Sequence, residues 1–463
     1  MDIDDVLAGR GGLEGIQRML SGPAARAVLR AALGELVGMR SLGACRLHRA
    51  KYRTGRRLSA YYDVRVGDHR RPIAVTWTPP TSHRTQPASQ PVTDPMEGEA
   101  IERGLASPFR RLVTEVESRG MRIQVAPADA EFPQLVRVSD PAHAPTVLVA
   151  AGMCVAPSVT VTAVRYRPGR RHLLRYDSGP ASVFVKLYRD SERAARAWRV
   201  AVGVADRLAQ APVVRAVRPL VALADDAVVA YPRVVGVPLS QHLARHRPGV
   251  GQHLSAAGVA LRALHRDSLP GALLADLEPR CFADEAKKVA SACEHIHTLL
   301  PEVGRRIAAV LSRAHELHDE LPQEPPTFAY GDLKADHLWV TRGGLVLIDF
   351  DTCALADPAL DVGKFLADLQ WWLQDRPGPV TPAQAQAHFL DAYQAPSERL
   401  HRARVYEALV LLKITAHRVR LFDRDWTQRT TRLIDRAEAV LADLEHRVGR
   451  RPARVRATAT TSS

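Results

Sequence analysis

Residues 328–340 read FAYGDLKADHLWV and place Asp332, Lys334 and His337 in a six-residue window between two apolar runs. A short polar loop held between buried strands is where a rigid scaffold presents its chemistry. Eight residues past His337 begins LVLIDFDT, in which the apolar run Leu345–Ile348 delivers Asp349 and Asp351 to a strand end. A carboxylate emerging from such a run is costly unless it is paired or binds a cation. Asp332 and His337, across a hairpin at Gly343–Gly344, can supply the other side of a cation site, since hard cations prefer oxygen ligands.

Upstream, residues 159–188 alternate β-branched and aromatic residues with polar ones, broken at Pro168–Gly169 and Ser178–Gly179–Pro180. This pattern predicts three antiparallel strands. A helix is expected over 191–209 and Val-rich strands over 213–235. From 239 onward, apolar residues recur at three- and four-residue spacing over 251–266, 282–320, 361–375, 381–395 and 402–446. Thr381–Pro382 is an N-cap followed by proline at the first helical position. The expected fold class is therefore α+β, a small antiparallel-sheet lobe followed by a larger helical lobe.

The first third carries an internal echo. KYRTGRRLSAYYD at 51–63 matches RYRPGRRHLLRYD at 165–177 in seven of thirteen positions, and an apolar strand follows each. A degenerate duplicate of the small lobe is expected within the N-terminal region 1–140. Thr76 stands at the echo's equivalent of Lys186, so the first copy is not expected to bind nucleotide. The small lobe proper is placed at 141–236, the helical lobe at 237–446 and a disordered basic tail at 447–463. Residues 79–95, rich in Pro, Ser, Thr and Gln, read as an exposed loop.

At 463 residues the chain exceeds the roughly 250–300 residues at which single cores stop growing, so two or more domains are expected. A hydrophobic fraction of 46% with 25% charged residues is that of a globular protein. The net charge of +14 resides in 57 arginines spread along the chain against only seven lysines. That distribution is a general arginine preference, and no zinc-finger, homeodomain or RRM signature accompanies it, so nucleic acid is not the expected partner. Five scattered cysteines without CxxC spacing exclude a disulfide framework or zinc site. No apolar run approaches the roughly 18–20 residues of a membrane span, and a soluble cytoplasmic protein is expected.

GDLKADH followed by LIDFD resembles the catalytic and metal-binding loops of the aminoglycoside phosphotransferase and choline kinase family, relatives of the protein kinases. DPALDVG (357–363), LRALH (261–265) and YPRVVGVPL (231–239) are similar to further family segments. The resemblance implies a protein-kinase-like bilobal fold. It also implies transfer of phosphate from ATP or GTP, with Mg²⁺ or Mn²⁺, to a hydroxyl of a small molecule or peptide side chain. By it, Asp332 is the catalytic base, Asp349 the main metal ligand, His337 stands at the second ligand position and Asp361 braces the catalytic loop. Lys186, on an apolar strand of an arginine-using chain, takes the phosphate-binding place, and Tyr231 lies at the nucleotide hinge. Lys334 either approaches the terminal phosphate or is a solvated loop residue. Arg170 and Arg171 either contact phosphates or form a basic turn, and Asp351 either meets a second cation or caps a turn.

Two positions depart from the family pattern. Tyr330 replaces histidine, and His337 replaces asparagine with an imidazole better suited to softer metals than Mg²⁺. The alternative reading is therefore a pseudokinase, a nucleotide-binding or scaffolding module with weak or lost catalysis. Glu192 and Asp206 are candidate ion-pair partners of Lys186. Glu285, Glu294, Glu407, Asp423 and Asp425 would suit a cationic acceptor if they face the cleft, or are solvated helix faces.

Overall fold

The computed structural model describes residues 3–37, 42–79, 95–209, 213–266, 271–374 and 378–449. Most of the sequence-predicted loop 79–95 and nearly all of the tail lie outside them. Alternation sets the sheets. Over Arg171–Ser178, side chains are alternately half-buried and buried, with His172, Leu174, Tyr176 and Ser178 turned inward. Such a period-two pattern buries one face of a strand.

Two five-stranded sheets result. The first contains β1 (Leu42–Arg53), β2 (Arg57–Val66), β3 (His69–Trp77), β4 (Val113–Val116) and β5 (Met121–Val125), in the order β1-β2-β3-β5-β4. After it come β6 (Val159–Arg167), β7 (Arg171–Ser178), β8 (Ala181–Leu187), β9 (Val214–Ala216), β10 (Val221–Leu223) and β11 (Val228–Pro232). All of these but β9 form the second sheet, in the order β6-β7-β8-β11-β10 when read from the same end. Each sheet is thus a three-stranded meander whose third strand pairs with the last strand of the unit.

The registers correspond too. Tyr52 faces Leu58 and Ser59 faces Thr76 in the first sheet; Tyr166 faces His172 and Leu173 faces Lys186 in the second. Thr76 therefore occupies the strand position of Lys186. Gly55 and Gly169 turn the first hairpins with φ of +66° and +69°, a left-handed conformation that glycine adopts without steric penalty. The repeated tyrosines anchor each sheet to the segment before it. Tyr52 and Tyr62 donate to the carbonyls of Leu7 and Leu20, and Tyr166 and Tyr176 to those of Ala128 and Val138.

The cores cross this symmetry. Phe132, Leu135, Val138, Val147 and Leu148 pack on the second sheet, whereas the first sheet shares one continuous core with the helical lobe. Asp129, just after β5, ties the two sheets together. Its Oδ2 accepts from the amide of Gly169 and pairs with Nε2 of buried His172, both at 2.7 Å.

In the helical lobe, the 282–320 periodicity resolves into two helices, Phe282–Leu299 and Pro301–Glu320, because Leu300–Pro301 interrupts the backbone ladder. The 402–446 stretch likewise breaks into Ser397–Arg418 and Trp426–Arg447. Thr381 caps the helix Pro382–Tyr393 with Gln384 in a reciprocal capping box. A four-stranded sheet, β12 (Val237–Pro238), β15 (Leu338–Thr341), β16 (Gly344–Leu347) and β9, lies between the lobes. A three-stranded one, β13 (Glu278–Arg280), β14 (Thr327–Ala329) and β17 (Ala354–Ala356), completes the strands. No helix among the described residues is long and apolar enough to cross a membrane.

Helix Ala359–Leu373 packs hard against Ser397–Arg418. A Cβ at Gly363 would sit 2.5 Å from the Ala403 carbonyl oxygen and 2.8 Å from the Glu407 amide nitrogen. Gly363→Ala should therefore lower stability by about 1–3 kcal/mol, the usual cost of overpacking. Urea unfolding measures it, and an unchanged midpoint would show that the two helices are not in such close contact.

Candidate active site

The segment 330–337 is fixed from beneath by one helix. Asp361, near the start of Ala359–Leu373 and fully buried, accepts from the amides of Tyr330 at 2.6 Å and Gly331 at 2.7 Å, with His265 Nε2 at 3.2 Å. One turn on, Lys364 donates to the Gly331 carbonyl oxygen. A further turn on, Asp368 accepts from the Ala335 amide at 2.6 Å and pairs with Arg418. The i, i+3, i+7 spacing puts all three on one helix face. Gly331 has φ +78°, and a Cβ there would lie 2.0 Å from the Thr352 carbonyl oxygen, so only glycine fits.

This support presents Asp332 with its side chain 37% exposed, against 19% for Asp349. Asp332 is thus the carboxylate more open to an incoming group. Lys334 Nζ lies 2.6 Å from its Oδ2 and Lys364 Nζ 3.9 Å from its Oδ1. Burial pushes the Asp332 carboxyl upward, but Lys364, Lys334 and His337 outweigh it and hold it at about 2. His337 stands between the two loops, Nδ1 3.9 Å from Asp332 and Nε2 3.5 Å from Asp349. Burial, aided by the charge of Lys334, lowers the imidazole to about 4, so it is neutral at pH 7. Its Nδ1 also lies 3.2 Å from the hydroxyl of Tyr330.

Asp349 adopts φ +69°, rare for a non-glycine residue, and its carboxylate meets the second sheet. Lys186 on β8 reaches Asp349 Oδ1 at 2.6 Å and Asp351 Oδ2 at 2.5 Å, and Arg171 reaches Asp349 Oδ2 at 3.5 Å. Desolvation opposes the Asp349 charge, yet Lys186, His337 and Arg171 hold its carboxyl well below the usual range. Desolvation likewise opposes the Lys186 charge, and Asp351 and Asp349 raise it above the ordinary lysine value. Tyr188 donates to Asp351 at 2.8 Å. Tyr231 lies on β11, across from Phe184 on β8.

The structure thus brings together Asp332, Lys334, His337, Asp349, Asp351, Lys186, Arg171 and Asp361. It does not bring Arg170, whose side chain lines a separate cleft. Neither Glu192 nor Asp206 partners Lys186; Asp206 pairs with Arg218 at the far end of its helix, and the metal-loop aspartates take the lysine instead. The acidic groups that would suit a cationic acceptor are largely consumed. Glu285 is buried against Lys288, Lys413 and Arg280, Glu407 against Arg404, and Asp423 against Arg420 and Arg429. Lys364 belongs to no motif that marks it in the sequence, although the scarcity of lysine that distinguishes Lys186 and Lys334 applies equally to it.

Among the described residues no three acidic, histidine or cysteine side chains are gathered as a metal site: Asp349 and Asp351 share Lys186, and neutral His337 stands 3.5 Å from Asp349. The two carboxylates suit a hard ion, and the imidazole shifts the set toward Mn²⁺.

Residues 169–399 match the model of the phosphotransferase enzyme family. No curated protein matches the chain. Among solved structures, spectinomycin phosphotransferase in complex with ADP and spectinomycin is similar at 14% identity, over 62% of this chain and 93% of that one, with a TM-score of 0.43. A choline/ethanolamine kinase family protein from Mesorhizobium loti shares 15% identity over 62% and 92%, with a TM-score of 0.43. Macrolide 2'-phosphotransferase MphH from Brachybacterium faecium shares 15% over 64% and 97%, with a TM-score of 0.40. An antiparallel-sheet lobe preceding a helical lobe is the α+β arrangement expected from the sequence.

Because the buried imidazole of His337 binds its proton at about 4 and an unfolded histidine at 6.5, the unfolded state takes up more protons between those values. Stability is then lost as pH falls through that window. His337→Asn should lose less stability than the wild type between pH 6.5 and 4 in thermal melts; parallel losses would mean that the imidazole is charged in the fold.

Proposed function

Given that residues 169–399 belong to the phosphotransferase enzyme family, we propose that this protein transfers the terminal phosphate of ATP or GTP to a hydroxyl group of a small molecule. The observation that carries this reading is the convergence of Asp332 and Asp349 on the two nitrogens of His337, with Lys186 opposite Asp349 at 2.6 Å. In phosphoryl transfer the protein contributes chiefly positioning and charge stabilisation.

Asp332, ionised at neutral pH, accepts a hydrogen bond from the acceptor hydroxyl and points its oxygen at the phosphate. A carboxylate held at about 2 is a weak base, so it takes the proton only as the new bond forms. Lys334 and Lys364 keep Asp332 in place, and Lys334 reaches the transferring group. Lys186 and Arg171 neutralise phosphate charge, and Tyr231 borders the base of the nucleotide. A divalent cation held by Asp349, His337 and Asp351 would neutralise charge on the terminal phosphates. The five free cysteines fit a reducing, cytoplasmic setting.

The same reading takes the first sheet as a degenerate copy of the second. Equal strand order, matched register and the paired tyrosines support it. Thr76 in place of Lys186 removes the phosphate-binding charge, leaving this copy as structure.

Asp332→Asn should reduce turnover by about 10²–10⁴-fold, the range for loss of a positioned acid–base group, while nucleotide affinity changes little. Phosphate transfer to a panel of hydroxylated metabolites, followed by mass gain with Mg²⁺ and then Mn²⁺, provides the assay. A wild-type chain that binds nucleotide but transfers phosphate under neither metal would be a scaffold.

A further inference from the structure

A cleft of about 520 Å³ opens where the first sheet meets the helical lobe, between β1, the 282–299 helix and the end of the 397–418 helix. This is within the range of small-ligand sites, roughly 300–1,000 Å³. Seven lysine or arginine side chains line it against one carboxylate, Asp284, which is engaged by Cys281. Lys288 and Arg420 are paired with Glu285 and Asp423. Among the described residues, the side chains of Arg49, Lys51, Arg170 and Lys287 have neither an ion-pair nor a hydrogen-bond partner.

An uncompensated gathering of like charge in a concave, partly dry space is electrostatically unfavourable until an anion enters. Lys51 registers the strain: burial first, then Arg170, Arg49, Arg167 and Arg53, lower its ammonium to about 7.

The cleft is separate from the catalytic groups but tied to them through chain neighbours on two walls. Arg170 precedes Arg171, which reaches Asp349. The 397–418 helix, which supplies His417 to the cleft wall, also supplies Arg418 to the Asp368 brace beneath the Asp332 loop. The 282–299 helix places Lys287 in the cleft and Glu285 against Lys413. Two lining residues, Arg170 and His417, thus each lie one residue along the chain from a side chain that holds the catalytic groups, Arg171 and Arg418.

Resting on the phosphotransferase reading above, we propose that this cleft is an anion site that seats a compact oxyanion of phosphate type carried by the acceptor, gripped by Lys51 and Arg49 from β1 and Lys287 from the helical lobe. The acceptor is then a hydroxylated metabolite that already bears one anionic group, and the first sheet acts as a specificity wall rather than as a second nucleotide lobe.

Calorimetric titration of the full chain with inorganic phosphate, in the presence of saturating AMP-PNP to fill the nucleotide site, tests the site directly. Wild type should bind, and Lys51→Ala and Lys287→Ala, on opposite walls, should each bind at least tenfold more weakly with unchanged circular dichroism melts. Matched hydroxylated metabolites with and without a phosphate group then test the acceptor class. The phosphorylated member should be the better substrate, and its KM should rise at least tenfold in both variants while the KM for ATP holds. Absence of phosphate binding, equal binding by the variants, or equal turnover of the uncharged members would overturn the proposal. Phosphate binding that maps to Lys51 and Lys287 without turnover of any acceptor would uphold the anion site and defeat the kinase reading instead.

Discussion

One buried carboxylate organises the centre of this molecule. Asp361 has no solvent to satisfy it, so its charge is met by two consecutive backbone amides and an imidazole. Those amides belong to Tyr330 and Gly331, and fixing them fixes the direction in which the chain leaves toward Asp332. Gly331 must accept a left-handed backbone to make the turn. Lys364 then takes the carbonyl that the turn leaves facing inward. Charged hydrogen bonds to backbone groups are among the stronger polar interactions in proteins, and here they convert a loop into a rigid support.

The rest of the centre balances charge around that support. Two carboxylates approach one uncharged imidazole, and three lysines and an arginine surround them. Against burial, Lys364, Lys334 and His337 hold Asp332 ionised, Lys186 does so for Asp349, and Asp351 and Asp349 in turn keep Lys186 charged. Removing a single member therefore leaves an uncompensated charge in a poorly solvated place, where it is costly.

How much of this is legible in the sequence depends on whether the signal is local. The GDLKADH and LIDFD segments carry their chemistry within a few residues, so Asp332, His337 and Asp349 stand out from the amino-acid order alone. The echo is legible because Tyr52, Tyr62 and Gly55 perform fixed tasks, and a residue with a backbone or anchoring task is repeated when its neighbours drift. Pairing across long separations leaves no such mark. Lys186 meets residues more than 160 positions away, so the acids of the helix that follows it, Glu192 and Asp206, are the wrong partners. Lys364 sits in an apolar helix that reads as plain core, and its inward direction emerges only when the loop is laid over it. The acidic residues of the helical lobe look available in the sequence because their basic partners come from other helices.

The Asp129 junction has a bearing on where this chain can be cut. A fragment trimmed to the segment shared with the phosphotransferase family would begin at the turn glycine itself and discard the aspartate that holds that glycine's amide and the ring of His172. The buried imidazole would face an empty slot, and the hairpin that carries Arg171 toward Asp349 would lose its tether. The stretch that carries Asp129, between the two sheets, therefore belongs with the phosphotransferase segment in any dissection.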